Sequence, residues 1–283
     1  MTRPARPLPR RRHVPREQAD HPFDLAVFEG GVAEGPVVVL VHGWPDTHRM
    51  WDGVAELLAP DFRVVAYDTR GQGASATDAP DSAFTVDALA DDLFAVLDAV
   101  ARGEQVHLVG HDWGSVQAWE AVCRPEAEER IASFTSISGP HLDHVAHWVR
   151  RTVVRPSPRA VAALLGQAVS SSYLPFLVSP LAPPLLGMLD SDAASGLRYY
   201  RGNLRRRTPR SAPPRTSVPV LQLALTRDVA IRHASLAASD PWADRLERRE
   251  LPHGHWVART HPHVVAAEVA DFVRRHDRRA SAC

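Results

Sequence analysis

The chain has 283 residues, 45% of them hydrophobic, which is enough to form the core of one large domain or of one domain with an inserted lid. Its 33 basic and 33 acidic residues balance, so the net charge gives no reason to expect nucleic acid or an anionic membrane surface as a partner. No apolar run reaches the roughly 18 residues of a membrane span, and Cys123 and Cys283 do not indicate a disulfide, so we expect a cytoplasmic protein.

The first part of the chain, residues 1–20, is rich in arginine and proline. It lacks the apolar segment of a secretory signal. We therefore expect a disordered leader, and we place the start of the folded core at residue 21.

Short apolar, β-branched runs follow, and they predict strands that are buried on both faces of a sheet. These runs lie at 37–41, 62–67, 106–109, 131–138 and 218–225. Helical stretches at 52–58, 85–101 and 115–123 lie between them. This alternation predicts an α/β fold with a doubly wound, mostly parallel sheet.

The alternation stops near Pro140 and returns near Val218. Residues 141–214 have a helical pattern interrupted by prolines. A helical insertion after one strand of a parallel sheet is expected to cover the carboxyl ends of the strands, where such sheets bind ligands. We therefore predict a core made of 21–140 and 215–283, with a helical cap at 141–214.

A glycine-flanked aspartate follows the predicted strand at 106–109. Gly110-His111-Asp112-Trp113-Gly114 has the G-x-S-x-G spacing of a nucleophile elbow, with aspartate in the place of serine. A carboxylate is ionised at pH 7 and needs no base to activate it, so the motif predicts Asp112 as a nucleophile. The alternative is that Asp112 serves only as the N-cap of the next helix.

The loop after the strand at 37–41 reads His42-Gly43-Trp44-Pro45. Its position predicts that the Trp44 amide and the Trp113 amide form an oxyanion hole. We also predict a cis Trp44–Pro45 peptide bond, because the loop must turn the Trp44 amide inward. The turn at 68–75 (DTRGQGAS) is assigned a structural role.

A catalytic acid and a histidine are expected late in the chain. Asp228 follows the strand at 218–225, and His255 lies 27 residues after it. The order nucleophile, acid, histidine is the one that accompanies this elbow. His253 is an alternative base, and Asp143, which follows the strand at 131–138, is an alternative acid.

Together these residues resemble the epoxide hydrolases of the α/β-hydrolase superfamily, and more narrowly the hydrolase portion of an actinobacterial type. The similar segments are 42–58, 67–75, 110–120 and 134–140. Some members of that type carry a reductase domain at the C-terminus, which we do not expect here. The resemblance implies no cofactor and no metal.

The resemblance also implies a pair of cap tyrosines that hold and protonate the epoxide oxygen. The segment around Tyr173 is similar to the one that carries the first phenol, and Arg198-Tyr199-Tyr200-Arg201-Gly202-Asn203 is similar to the second, with Tyr200 as the phenol. Apolar residues at 174–189, Phe176 among them, predict either packing of the cap or a lipophilic substrate tunnel. Trp44 and Trp113 are further predicted substrate contacts.

The resulting prediction is an epoxide hydrolase that forms an ester on Asp112 and hydrolyses it with His255 and Asp228. The substrate would be a small lipophilic epoxide, and the protein a monomer or a homodimer. A haloalkane dehalogenase is the nearest alternative, although position 44 is Trp rather than a halide-binding Asn and both phenols are present. A non-catalytic, ligand-binding protein with the same fold is the other alternative.

Overall fold

The computed structural model describes residues 8–16, 21–188, 190–205 and 208–277, and its centre is one eight-stranded sheet. The strands are β1 (Arg10–Arg16), β2 (Phe23–Gly31), β3 (Val37–Val41), β4 (Arg63–Tyr67), β5 (Val106–His111), β6 (Ile131–Ile137), β7 (Val220–Leu225) and β8 (Leu246–Leu251). Their order across the sheet is β1-β2-β4-β3-β5-β6-β7-β8. The strand pairs β4–β3, β3–β5, β5–β6, β6–β7 and β7–β8 are parallel. The pairs β1–β2 and β2–β4 are antiparallel.

Twelve α-helices connect and cover the strands in the part of the chain that is described. They are α1 (Asp52–Leu58), α2 (Val86–Val100), α3 (Trp113–Val122), α4 (Ala127–Arg130), α5 (Leu142–Val154), α6 (Pro158–Ser170), α7 (Leu174–Leu177), α8 (Ala182–Gly187), α9 (Ser191–Leu204), α10 (His233–Ala237), α11 (Val257–Thr260) and α12 (Pro262–His276). None of the helices in the described ranges combines the length and the hydropathy that crossing a bilayer requires.

The predicted fold class is confirmed, since the predicted strands correspond to β3–β7 at the centre of the sheet. Strand β3 shows why these runs are so apolar. Val37, Val39 and Val41 pack in one core cluster with α2 and α3, whereas Val38 and Leu40 pack in a second cluster with α1 and α12. Both faces of the strand are buried, as a strand between two helical layers requires.

The predicted disordered leader is wrong for Arg10–Arg16, which form the edge strand β1 against β2. Val14 is buried, and the arginines on either side of it find acids: Arg12 bonds to Glu29 at 3.1 Å, and Arg16 bonds to Asp92 at 2.7 Å. Arginines that would disfavour a strand in isolation are thus paired with acids. The remaining leader residues, 1–7 and 17–20, lie outside the described residues.

Helices α5–α9 all lie between β6 and β7, within the segment predicted as a cap. A third core cluster joins this segment to the residues above the sheet: Leu197 and Tyr200 of α9 pack with Trp113 of α3 and with Phe84, which precedes α2. The active site that the sequence predicts at the carboxyl ends of the strands therefore lies beside α9. The cap boundaries at 141 and 214 stay a prediction.

Candidate active site

Asp112 lies at a sharp turn between β5 and α3, with φ 52° and ψ −124°. The flanking glycines are required by close approach. A Cβ at Gly114 would lie 2.1 Å from the Val41 carbonyl oxygen, and one at Gly110 would lie 2.7 Å from Ser115 Cα. The helix has no side-chain N-cap hydrogen bond, so the alternative role of Asp112 as a simple N-cap has no support.

Backbone amides hold the Asp112 carboxylate. The Trp44 amide donates to Asp112 Oδ1 at 3.0 Å, and the Trp113 amide also bonds to the carboxylate. A Cβ at Gly43 would lie 2.4 Å from Oδ1, so only glycine fits there. The predicted cis peptide bond between Trp44 and Pro45 is confirmed. Burial raises the pKa of Asp112 and outweighs the opposing effects of the nearby His255 and of the two amides.

His255 and Asp228 lie beside the nucleophile, after β8 and β7 respectively. His255 Nδ1 is 2.9 Å from Asp228 Oδ2, and its Nε2 is 3.7 Å from Asp112 Oδ2. The other Asp228 oxygen accepts from the amides of Ala230 (2.8 Å) and Ile231 (3.1 Å). Because the strands are parallel, their carboxyl ends bring these distant residues to one edge of the sheet.

His255 and Asp228 each shift the pKa of the other. Burial alone would lower the pKa of His255, but the hydrogen bond to Asp228 and the charge of Asp112 raise it above 6.5. Burial would raise the pKa of Asp228, but its bonds to His255 and to backbone amides lower it. Asp228 therefore stays ionised and orients the imidazole with Nε2 toward Asp112.

The alternative acid and base have other partners. Asp143 accepts from the Arg210 backbone amide at 3.0 Å and from its guanidinium at 2.9 Å. The His253 ring packs against His261 with ring centroids 4.3 Å apart. Asp228, and not Asp143, is thus the hydrogen-bond partner of His255.

A cavity of about 340 Å³ opens above Asp112, and both predicted phenols line it. Tyr200 is 5% exposed, with its ring edge-on to Trp44 and Trp113, whereas Tyr173 is 38% exposed. Burial and the charges of Asp112 and Asp228 raise the pKa of Tyr173 to about 12. Burial also raises the pKa of Tyr200 well above its usual value, so both phenols are protonated at neutral pH.

Two of the predicted substrate contacts, Phe176 and Trp44, do not line this cavity, so their contact with substrate stays a prediction. Phe176 is 41% exposed and does not line the cavity, because the short helix α7 turns Leu174 toward the cavity instead. Trp113 lines the cavity, but Trp44 does not. The Trp44 indole packs on Tyr200 and donates to the Ala193 carbonyl of α9 at 2.8 Å, so it joins the oxyanion loop to the insertion.

Tyr199, which neighbours Tyr200 in sequence, is buried in the core and packs against other residues there. It is 1% exposed, and its hydroxyl lies 2.8 Å from Thr69 Oγ1. Its ring stacks on Trp113 with centroids 5.8 Å apart. The turn at 68–75 is likewise structural, as predicted, since Asp68 bonds to His48 at 2.7 Å.

Two residues that contact the site were not predicted from the sequence. His111 Nε2 lies 2.8 Å from the His255 carbonyl oxygen, and burial together with the charge of His255 lowers the pKa of His111 to about 3. The neutral ring therefore donates to His255 and fixes its backbone. Gln167 of α6 lines the cavity and bonds to the loop that carries Asp228. His111 lies inside the elbow motif, but Gln167 has no sequence signal.

Comparisons with known proteins agree with this fold. A family model described as the alpha/beta hydrolase fold matches residues 36–262. The chain is 38% identical over 279 residues to the probable oxidoreductase EphD of Mycobacterium tuberculosis, covering 88% of this chain and 47% of that protein. It is 31% identical over 196 residues to epoxide hydrolase A of the same organism, covering 69% and 56%. The chain thus spans about half the length of these curated relatives.

Solved structures show the same fold. An epoxide hydrolase from metagenomes of hot environments superposes with a TM-score of 0.71 at 21% identity, covering 93% of this chain and 98% of that one. An epoxide hydrolase of Bacillus megaterium, solved with an inhibitor, superposes with a TM-score of 0.70 at 18% identity, covering 89% and 97%. At these identities the likeness concerns the fold alone.

Proposed function

The chain belongs to the α/β-hydrolase family, and from that premise we propose that it is an epoxide hydrolase that forms vicinal diols through an ester on Asp112. The observation that carries the proposal is one cavity lined by an elbow carboxylate and by two protonated phenols, Tyr173 and Tyr200. The similarity to epoxide hydrolase A supports the same activity. Opening an epoxide requires both a nucleophile and a proton donor, whereas a departing halide requires no proton.

In the first step, an Asp112 oxygen attacks one ring carbon and the bond from that carbon to the epoxide oxygen breaks. The electron pair of that bond passes to the oxygen, which takes a proton from a phenol. The high phenol pKa values keep Tyr173 and Tyr200 protonated until this moment. The product of the step is a hydroxyalkyl ester of Asp112.

In the second step, His255 Nε2 removes a proton from water, and the hydroxide attacks the carbonyl carbon of the ester. Asp228 stabilises the resulting imidazolium. The amides of Trp44 and Trp113, which hold the carboxylate in the free protein, then bind the oxyanion. Donors of this kind contribute about 3–4 kcal/mol each to the transition state. As the tetrahedral intermediate collapses, the imidazolium gives its proton to the departing diol oxygen. The Asp112 carboxyl, which keeps the other proton of the water, passes it to the tyrosinate and is again a carboxylate.

The substrate class follows from the walls of the cavity. Most of the surface that lines it is apolar, with Val116, Leu142 and Leu174 among the lining residues, and Asp112 and the phenols are among its polar groups. Its volume of about 340 Å³ is at the small end of ligand sites. We therefore propose a lipophilic epoxide whose reactive end enters this cavity.

The division of labour between the two steps gives the test. His255→Gln leaves Asp112 and the phenols in place but removes the base, so incubation with a reactive epoxide should trap the ester. Mass spectrometry of the peptide that contains Asp112 should show the added mass of the epoxide. His253→Gln is the matched control, because His253 packs on His261 away from the nucleophile. It should turn the epoxide over without accumulating ester.

A reactive aryl epoxide that leaves no adduct in the His255→Gln variant would contradict the proposed mechanism. Accumulation of the adduct in the His253→Gln variant would instead show that the base is His253 and not His255. Halide release from haloalkanes by the unmodified protein, without diol formation from epoxides, would favour the dehalogenase alternative.

A further inference from the structure

The zero net charge of the chain conceals an uneven distribution. Residues 141–214 contain ten arginines and three aspartates, a net charge of +7, which leaves −7 for the rest of the chain. The stretch 144–189 contains no acidic residue at all. The helical insertion is therefore a cationic body on an anionic core, and such asymmetry indicates a partner for the cationic side.

Four arginines of this stretch form a basic set at the junction of α5 and α6: Arg150, Arg151, Arg155 and Arg159. All four side chains are exposed. Ion pairs are common on the rest of the molecule, but none of these four makes one with any acid in the described ranges. Their charges face solvent without compensation.

Exposed aliphatic side chains form an apolar set beside these arginines. Val153 and Val154, at the end of α5, are 68% and 70% exposed. Val161, Leu165 and Val169 recur every fourth residue along α6, so they share one helix face, and Leu165 and Val169 are 62% and 70% exposed. Aliphatic residues arranged in this way on a surface helix mark a binding surface more often than isolated exposed ones do.

This face continues to the active site. Val169 and Tyr173 line a surface groove together with Arg227, Val229 and Arg232. Tyr173 also lines the cavity above Asp112. A molecule that leaves the apolar face of α6 would therefore meet Tyr173 first.

Two acids that line the grooves beside this face already have partners. Asp228, which borders the groove, is bonded to His255. Glu250 faces α6 across a second groove and lies 3.6 Å from His233. Neither carboxylate neutralises the basic set, so the positive potential of the surface is retained.

We infer that the basic set and the apolar set together dock on the surface of an anionic phospholipid bilayer. Aliphatic side chains flanked by arginines suit the boundary between headgroups and acyl chains, where the apolar groups enter the bilayer and the cations bind phosphates. Docking in this way would place Tyr173 at the bilayer, from which a lipophilic molecule could enter the cavity.

Vesicle sedimentation tests this surface and requires no turnover, so its outcome is independent of the proposed epoxide activity. The full chain should bind vesicles of phosphatidylglycerol and phosphatidylcholine, should bind pure phosphatidylcholine vesicles at least tenfold more weakly, and should be released by high salt. The double variant R155Q/R159Q should bind the anionic vesicles at least tenfold more weakly. The matched control R49Q/R102Q removes two exposed arginines elsewhere and should bind as the unmodified protein does.

The apolar set is tested by Leu165→Ser with Val169→Ser, which should also weaken binding to anionic vesicles, while circular dichroism confirms that the variant is folded. No sedimentation with anionic vesicles would overturn the inference, as would equal losses in R155Q/R159Q and R49Q/R102Q. Light scattering distinguishes docking on a bilayer from dimerisation through the same surface. If these variants convert a dimer to a monomer and leave vesicle binding unchanged, the surface joins two copies of the chain and the inference is wrong.

Discussion

At the scale of single residues, Asp112 is held in a backbone conformation, with φ 52°, that residues other than glycine seldom adopt. Such a conformation costs about 1–3 kcal/mol and persists only when the surroundings enforce it. Here the enforcing contacts are those of Gly110 and Gly114, where the helix approaches β3 and β5 too closely for any side chain. The strain places the carboxylate above the sheet, between two amide donors and His255.

The pH dependence of ester hydrolysis follows from the surroundings of His255. The base must be neutral, so the rate should rise with pH through the His255 pKa, which Asp228 and Asp112 raise. Esterification removes the charge of Asp112 and thereby one of these causes. Asp228→Asn removes another, so the midpoint should move to lower pH while the maximal rate falls. Single-turnover decay of the ester across pH 5–9 measures both.

Asp143→Asn is the comparison for that experiment, because Asp143 bonds to Arg210 and not to His255. Its midpoint should equal that of the unmodified protein. A midpoint that moves in Asp143→Asn and stays fixed in Asp228→Asn would reverse the assignment of the acid.

The residues that sequence reasoning found and those it missed differ in physical kind. Asp112, the two amide donors and His255 sit in turns whose short spacing leaves few conformations, so the motif carries the geometry. Phe176 was misplaced because a one-turn helix has no periodicity long enough to show which side faces inward. Gln167 was missed because its partners at Ala230, Arg232 and Ser235 lie more than 60 residues further along the chain, and such contacts leave no pattern in the sequence.

At the scale of elements, the predicted strands were those with uniform apolar runs. The strands that were missed, β1, β2 and β8, lie at or next to the edges of the sheet. Strand β8 reads LERREL and β1 reads RRRHVPR, so neither shows an apolar run. Their charged side chains are compensated by tertiary partners; Arg248 of β8, for example, bonds to Gln222 of β7 at 2.8 Å. Local sequence cannot reveal a partner that another element supplies.

Helix α6 is joined to the loop of the catalytic acid mainly through Gln167, and its last residue, Ser170, accepts a further hydrogen bond from the Arg232 side chain at 2.7 Å. Its amide nitrogen donates to the Ala230 carbonyl at 2.9 Å, and its oxygen accepts from the Arg232 amide at 2.9 Å and from Ser235. The same loop binds Asp228 through the Ala230 amide. The Gln167 amide thus couples the helix that precedes Tyr173 to the position of the acid.

Replacing this amide by a side chain of similar size should loosen that coupling. Gln167→Leu leaves the Ala230 carbonyl and the Arg232 amide without their partner, which should cost about 2 kcal/mol of stability. Misplacement of the catalytic groups should also lower kcat by roughly tenfold. Gln105→Leu is the control, because Gln105 lies before β5, at the opposite end of the strand from the elbow. Equal kinetics for the two variants would show that Gln167 only packs.

At the scale of the whole molecule, one guanidinium joins three elements that surround the site. Arg210 bonds to Glu120 of α3, to Asp143 of α5 and to Asp87 of α2. Glu120 and Asp143 are 4% and 0% exposed at their side chains, while Arg210 is 38% exposed. With His141 these carboxylates come close enough together to hold a cation, and the guanidinium already supplies the positive charge. The cluster therefore holds the nucleophile helix and the first helix after β6 together.

Removing that charge should destabilise the fold in a manner that depends on pH. Burial would raise the pKa of Glu120, but bonds to His141 and Arg210 lower it, so this carboxylate stabilises the fold above its ordinary pKa of 4.5 and loses that effect as pH falls. Arg210→Gln should cost about 2–3 kcal/mol at pH 7, since the partial exposure of Arg210 screens the pair. The cost should shrink toward pH 4, where the orphaned carboxylates can take up protons.

Arg274→Gln, which breaks an exposed pair with Asp61, is the control and should cost under about 1 kcal/mol at either pH. Denaturant unfolding of both variants at the two pH values measures this, and a cost for Arg210→Gln that stays constant with pH would mean that buried charge is not what the arginine stabilises.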